Sequence, residues 1–137
     1  MKKLNPKIKK IELKEINNNL GKLITFNDFL KKNIFKPKNI FLINGKKNST
    51  RGHHAHKKST QILLCIKGKI EIKCIYKKKS KKFILQKTNI GLLVPPFVWS
   101  EIKFLYQNSQ LLVVSNYQYI ETEYIRKYED FLKIYNE

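Results

Sequence analysis

Apolar and polar positions alternate along most of the chain, and the period changes only once. The stretch Lys69-Ile-Glu-Ile-Lys-Cys-Ile-Tyr76 is apolar at nearly every second position, as a strand with one buried face is. Residues 61–66 form a continuous apolar run that turns at Lys67-Gly68, and residues 40–43 read as a strand closed by the turn pair Asn44-Gly45. The lysine cluster 77–82 predicts an exposed hairpin tip with a return strand from Phe83 to Leu85, and 90–94, 99–105 and 111–115 supply further strands. Ile8, Ile11, Leu13 and Ile16 punctuate a charged first segment, Leu23, Ile24 and Phe26 follow Gly21, and residues 29–34 fit either one helical turn or a loop. From Ile120 onward the spacing becomes three and four, through Tyr124, Ile125, Tyr128, Phe131, Leu132 and Tyr135. That period predicts one amphipathic helix packed on a sheet, with Glu121 and Glu123 near its start where the helix dipole favours negative charge. Short strands at intervals of roughly ten residues, closed by one C-terminal helix, predict an all-β fold, a small antiparallel sandwich or barrel.

Size agrees with that architecture. At 137 residues and 42% hydrophobic content the chain can build one core, and a single domain over residues 1–137 is expected. Charge changes the picture less than its size suggests. Lys and Arg together number 29 against 10 Asp and Glu, a formal net charge of +19, which raises the question of a polyanion partner. Yet only Arg51 and Arg126 are arginines, and the lysines spread from Lys2 to Lys133 instead of forming a stripe. Arginine is the side chain suited to bidentate phosphate and base contacts, so no specific nucleic-acid partner is expected. A field of this sign still draws anionic ligands inward.

Cys65 and Cys74 lie in apolar or alternating runs without the spacing of a metal knuckle. A hairpin about Gly68 would set them on neighbouring strands; otherwise they are buried, reduced thiols. The N-terminus is positively charged but lacks an apolar segment of signal-peptide length, and no window approaches a membrane span. A cytoplasmic location and no membrane partner are the expectation.

The three histidines fall within four residues, at His53, His54 and His56. In a strand His54 and His56 share one face and His53 takes the other. Two imidazoles side by side can ligate a metal or move protons near neutral pH. The plainer alternative is a polar surface loop.

These residues give the chain a resemblance to the cupin superfamily. The first cupin motif runs H-x-H, three or four residues, Glu, six residues, Gly; here His54 and His56 are followed by Gln61 and Gly68. The second runs from a Gly to Pro-x-Gly and a histidine; here Gly91 leads to Pro95-Pro96-Phe97-Val98-Trp99-Ser100, with Ser100 at the histidine position. Gln61 and Ser100 are poor ligands for a transition metal, so the expectation is no metal and a free imidazole pair.

The resemblance narrows to the nucleotide-sugar 3,4-ketoisomerases, cupin enzymes that act on dTDP-4-keto-6-deoxyglucose. It is carried by Arg51-Gly52-x-His54-Ala55-His56-Lys57, by Gln61, by Pro95-Pro96-x-x-Trp99-x-Glu101 and by Tyr124-Ile125-Arg126-x-Tyr128-x-x-Phe131-Leu132. It implies a jelly-roll β-barrel, a homodimer, often with exchange of N-terminal strands, and a site needing no metal or cofactor. It also implies a 3-keto product that feeds an aminotransferase making 3-amino-3,6-dideoxy sugars for surface glycans. Leu42 stands where many members carry an aromatic residue, and Ser100 where a histidine is common.

The chemistry fits the residues beside the name. Moving a carbonyl from C4 to C3 means removing the C3 proton, passing through an enediol and delivering a proton to C4, work for groups titrating near neutrality. His54 and His56 are the candidate catalytic pair, with no assignment of either to C3 or C4. Arg51 and Lys57 are candidates for a diphosphate contact, Arg51 by its fork geometry. Gln61 could orient an imidazole or the sugar, Trp99 could stack on the thymine or sugar, and Glu101 could hold a sugar hydroxyl or a histidine. Each has a plainer alternative in backbone hydrogen bonding, core packing or a surface ion pair, and the helix tyrosines are read as packing residues. Two other functions stay open: a nucleotide-sugar epimerase on the same fold, and a non-catalytic cupin binding module.

Overall fold

The computed structural model describes residues 6–33 and 35–136. The positive charge at the start of the chain, residues 1–5, the end of the 29–34 helical turn or loop at Ile34, and Glu137 lie outside the described residues.

Every strand pairing is antiparallel. One five-stranded sheet is ordered β1 (Lys9–Glu12), β9 (Ile90–Val94), β6 (Gln61–Lys67), β11 (Ser109–Ser115) and β4 (Asn39–Gly45). The other is ordered β12 (Tyr124–Ile125), β5 (Thr50–His56), β10 (Trp99–Phe104), β7 (Ile70–Tyr76) and β8 (Lys79–Leu85). A separate hairpin joins β2 (Lys14–Asn18) to β3 (Gly21–Thr25), followed by the short helix α1 (Asn27–Lys31); α2 (Tyr128–Tyr135) closes the chain.

The alternation explains how the two sheets meet. Leu63, Cys65, Leu92, Val94, Leu111 and Val113 of the first sheet interlock with Ile70, Ile72, Cys74, Phe83, Leu85, Ile102 and Phe104 of the second. Their opposite-parity neighbours face outward and are covered in turn. Ile62, Leu64 and Val114 pack with Leu13, Phe35 and the apolar side chains of the β2–β3 hairpin and α1. Ala55, Ile75, Trp99 and Ile125 pack under Phe131 and the rest of α2. No helix among the described residues is long and apolar enough to cross a membrane.

Three local expectations are revised, and of the two readings of the cysteines the buried, reduced thiols are borne out. Gly45 is the last residue of β4 rather than a turn, because the Phe104 ring lies where its Cβ would be, 2.0 Å away; the chain reverses at Asn48, whose φ is 66°. The lysine-rich hairpin tip is only Lys77-Lys78, both left-handed, and Lys79–Lys82 already belong to edge strand β8, where charge blocks pairing with another sheet. The Gly68 turn passes from one sheet to the other, so Cys65 and Cys74 are buried free thiols on facing sheets, not on neighbouring strands. The C-terminal helix starts at Tyr128, not Ile120: residues 121–123 form a 3₁₀ turn, and Tyr124–Ile125 pair with β5 as β12.

Candidate active site

The site begins with a bulge. Along β10 the register runs Ser100 opposite His54, then Glu101 opposite Gly52 and Ile102 opposite Arg51, so His53 is the extra residue. Gly52 has φ of 84°, and a Cβ there would lie 2.7 Å from the Ser100 carbonyl oxygen. Glycine is therefore required both for the dihedral and for the close approach. His53, at φ 55°, is turned outward and exposed, 3.9 Å from Glu101 and 3.3 Å from the Thr50 hydroxyl. Past the bulge, alternation resumes with Ala55 outward under α2 and His54 and His56 inward.

The inward pair is completed by β12. Tyr124 lies opposite His56, and the three rings form a triangle with centroids 4.9 Å (His54–His56), 5.0 Å (His54–Tyr124) and 4.4 Å (His56–Tyr124) apart, all edge-on. The Arg126 guanidinium covers Tyr124 at 4.5 Å from its centroid. Arg126 is bidentate to Glu121, which also accepts the Tyr119 hydroxyl, so the rim of the triangle is a fixed cation–carboxylate–phenol cluster. The Arg126 hydrogen bond holds the Glu121 carboxyl down to about 2.

Below the triangle sits a buried carboxylate. Glu123, only 5% exposed, has Oε1 2.5 Å from His56 Nδ1. Its Oε2 accepts the backbone N–H groups of Lys57 and Lys58 at 3.1 Å and of Ser59 at 3.3 Å. Burial alone would raise its pKa; the His56 hydrogen bond and the backbone donors outweigh that and hold it low, keeping Glu123 ionised. His56 is pulled down by burial, an effect opposed by Glu123. His54 is pushed down to about 4 by burial, by His56 and by Arg126, so it is neutral at physiological pH. His54 Nδ1 and His56 Nε2 are buried without a hydrogen-bond partner in the protein. Buried ring nitrogens without a partner are uncommon, and here two lie side by side on the inward wall formed by β5, their ring centroids 4.9 Å apart.

The residues singled out in the sequence divide between the two sides of the sheet. Gln61, half-buried on β6, stands five residues beyond His56 on an inward-facing position shared with Leu63 and Cys65. Arg51 is exposed and opposite the inward-facing Ile102. The exposed Lys57 sends its Nζ to the Thr122 carbonyl at 3.4 Å and its backbone N–H to Glu123. Trp99 and Glu101 are not brought to the histidine pair. Trp99 is buried on the outer face, against Tyr128 and Phe131 of α2, and its Nε1–H donates to Glu101 at 3.0 Å. Ser100, between them, faces inward beside His54, while Leu42 lies exposed on β4. Among the described residues no group of three or more His, Cys, Asp or Glu side chains is arranged to hold a metal ion.

Sequence reasoning missed Glu123, Tyr124 and Arg126 as neighbours of the histidines. Their signal was present as Tyr124-Ile125-Arg126, but a strand of two residues is too short to separate a period of two from one of 3.6.

Comparison with known proteins matches this chain over residues 6–136 to the family model described as FdtA: WxcM-like, C-terminal. It is 33% identical over 127 residues to the TDP-4-oxo-6-deoxy-alpha-D-glucose-3,4-oxoisomerase of Aneurinibacillus thermoaerophilus, covering 91% of this chain and 90% of that one. Among solved structures, a 3,4-ketoisomerase from Helicobacter canadensis is 35% identical with a TM-score of 0.88, covering 95% of this chain and 98% of the other. A mutant of the 3,4-ketoisomerase QdtA from Thermoanaerobacterium thermosaccharolyticum, in complex with TDP-4-keto-6-deoxyglucose, is 30% identical with a TM-score of 0.86, covering 93% and 92% respectively.

Proposed function

The chain belongs to the FdtA (WxcM-like, C-terminal) family, and from that membership we propose a sugar 3,4-ketoisomerase that moves the carbonyl of TDP-4-keto-6-deoxyglucose from C4 to C3. The observation that carries this reading is the inward pair His54 and His56, whose rings lie 4.9 Å apart and each present a buried nitrogen without a partner. An α-hydroxy ketone held against that wall meets neutral imidazoles. One removes the C3 proton, acidified by the adjacent ketone, and the enediol that forms accepts a proton at C4. Tyr124 and the Arg126 guanidinium supply the polar edge of the cavity, where oxygen-centred charge develops. The reaction is a redistribution of protons and electrons within one substrate, and the reading needs no metal or cofactor.

Substrate placement follows from the same wall. Arg51 and Lys57, exposed at either end of the histidine segment, are the candidates for the diphosphate, and Gln61 for orienting the sugar or an imidazole. Trp99 and Glu101, on the outer face, hold β10 to α2 and keep His53 outside. The product is a 3-keto sugar suited to an aminotransferase in deoxysugar biosynthesis for surface glycans, in the cytoplasm. The working unit is a homodimer in which N-terminal strands are exchanged. Supporting this, among the described residues β2 and β3 pair only with each other, and their hairpin exposes Ile16, Leu23 and the turn residue Leu20, the last 97% exposed, an apolar edge that a second copy would cover.

The test is incubation of chelator-treated protein with TDP-4-keto-6-deoxyglucose in deuterated water, followed by NMR of the sugar. A 3-keto product carrying deuterium at C4 is expected, and its C4 coupling gives the configuration of the new hydroxyl. Exchange without carbonyl migration would identify an epimerase, and an unchanged sugar with tight nucleotide binding a binding module. Replacing either His54 or His56 by Asn is expected to lower turnover by about 10²-fold or more while nucleotide binding persists.

A further inference from the structure

Alternation lines the inner faces of both sheets with apolar side chains, yet where edge strands β1 and β8 face each other the inner positions turn basic. Lys81 of β8 lies opposite the buried Cys74, and Lys79 opposite Tyr76, so both take the inward register. Across the seam, Lys10 of β1 lies opposite the inward-facing Leu92, and Ile8 packs on the main core. With Lys7 and Lys9 they line a cleft of about 860 Å³. Lysine makes up half of its ten lining residues, although Lys and Arg together are only 29 of the chain's 137, and no carboxylate lines it. Elsewhere on this side of the molecule charge is balanced. The outward Lys82 has Glu71 at 3.8 Å, and the cavity of about 510 Å³ beside the β2–β3 hairpin and α1 sets Glu12, Glu15 and Asp28 against Lys14 and Lys32. Among the described residues, none of the five lysines of the seam is within ion-pair distance of a carboxylate.

We propose that this seam is a second anion site, separate from the histidine pair, that takes a polyphosphate group, free or carried by a nucleotide. Its separation follows from the register. His54, Ser100, Cys74 and Lys81 lie opposite one another on four successive strands, three strand spacings or roughly 14 Å from first to last. The buried side chains of Ser100 and Cys74 occupy the rows between. Ammonium groups brought together from two sheets repel one another until an anion sits among them, and lysine binds phosphate as a point charge. A chain of two or three phosphates carries several charges along its length and so meets lysines on both walls. The inward register of Lys10, Lys79 and Lys81 sets three of these charges inside a concavity of small-ligand size, which favours such a group over a flat bilayer. Lys81 is held over the Phe83 ring, 5.1 Å from its centroid, and the half-buried Tyr76 adds an aromatic face on which an attached base can rest.

The test is titration of ¹⁵N-labelled protein at low salt with tripolyphosphate, TDP and thymidine, read by amide NMR shifts, with calorimetry for the dissociation constants. Tripolyphosphate is expected to saturate and to shift residues 7–10 and 76–83, while thymidine leaves them unmoved. TDP shifts at the same residues assign the site to nucleotides as well; TDP shifts confined to the surroundings of His54 and His56 restrict it to free polyphosphate. Lys79→Gln/Lys81→Gln is expected to weaken tripolyphosphate binding by about tenfold or more, with kcat for TDP-4-keto-6-deoxyglucose changed less than about twofold. Lys46→Gln/Lys47→Gln removes the same charge from the exposed β4–β5 turn and is expected to leave binding unchanged. Equal weakening by the two double variants, or shifts that never saturate and spread over the chain, would reduce the effect to net charge and overturn the proposal. So would duplex DNA or an acidic peptide that binds the same residues more tightly than tripolyphosphate. A collapse of kcat in Lys79→Gln/Lys81→Gln would make the seam part of the catalytic site and overturn its separateness. Binding here is read without turnover, so a wild type that leaves the sugar unchanged overturns the ketoisomerase reading alone.

Discussion

At His54 the fold takes a group that would be half-protonated in mildly acidic water and withdraws it from solvent. Its folded-state pKa is about 4, against 6.5 for the free side chain. Because the unfolded chain binds the proton more readily, stability is level above pH 6.5 and falls as the pH drops from there toward 4. The shift corresponds to about 3 kcal/mol over that window. Urea denaturation of wild type and His54→Asn at pH 7.5 and pH 4.5 checks it: the wild type is expected to lose more stability between the two. Gly52 sets a second expectation. An alanine there combines a left-handed φ of 84° with a Cβ 2.7 Å from the Ser100 carbonyl oxygen, at a cost of about 2 kcal/mol. The same substitution also disturbs the bulge that turns His54 inward, so activity is expected to fall further than stability alone explains. Measuring kcat at a temperature where the variant is fully folded separates the two effects.

Among the elements, α2 does the least obvious work. It packs on the outer face, where Phe131 closes over Ala55, Trp99 and Ile125, the backs of the three strands that carry the site. Phe131→Ala is expected to cost about 3–5 kcal/mol and to loosen β12. Trp99 is the sole tryptophan, so a red shift of its emission in the folded variant reports the opened face directly. Elements with a sustained period were legible in the sequence: β6, β7, β9, β10 and β11 fall where alternation placed them, and so does the inward pairing of His54 with His56. The parts that escaped were those decided by contacts between distant residues. Asn44-Gly45 reads as a turn until the Phe104 ring is seen to occupy the space above Gly45. Tyr124–Ile125 extend the helical spacing of α2 backward by chance, and only their hydrogen bonding to β5 makes them a strand. Trp99 and Glu101 share a parity in β10, as read, but parity alone does not say which face looks inward.

At the scale of the whole molecule, charge and assembly give the measurable consequences. A cleft of about 860 Å³ is lined by Lys7, Lys9, Lys10, Lys79 and Lys81 together with Tyr76, a concentrated share of the net charge of +19. An anionic nucleotide sugar is drawn toward such a surface from a distance. Its kcat/KM is expected to fall several-fold as ionic strength rises from about 0.01 to 0.5 M, where screening shortens from roughly 30 Å to well under 10 Å. Light scattering is expected to return about twice the chain mass of 16.3 kDa, in keeping with the exposed apolar edge of the β2–β3 hairpin; a mass of one chain would remove the dimer from the proposal. The two free thiols offer a different kind of reading. Cys65 and Cys74 are fully buried on facing sheets, and burial pushes the Cys74 thiol up to about 12. Neither can meet a thiol reagent until the layers part, so labelling is a clock started by the barrel's own opening. Equal rates at the two sulfurs would mean that the sheets separate in one cooperative event, and unequal rates would identify the layer that frays first.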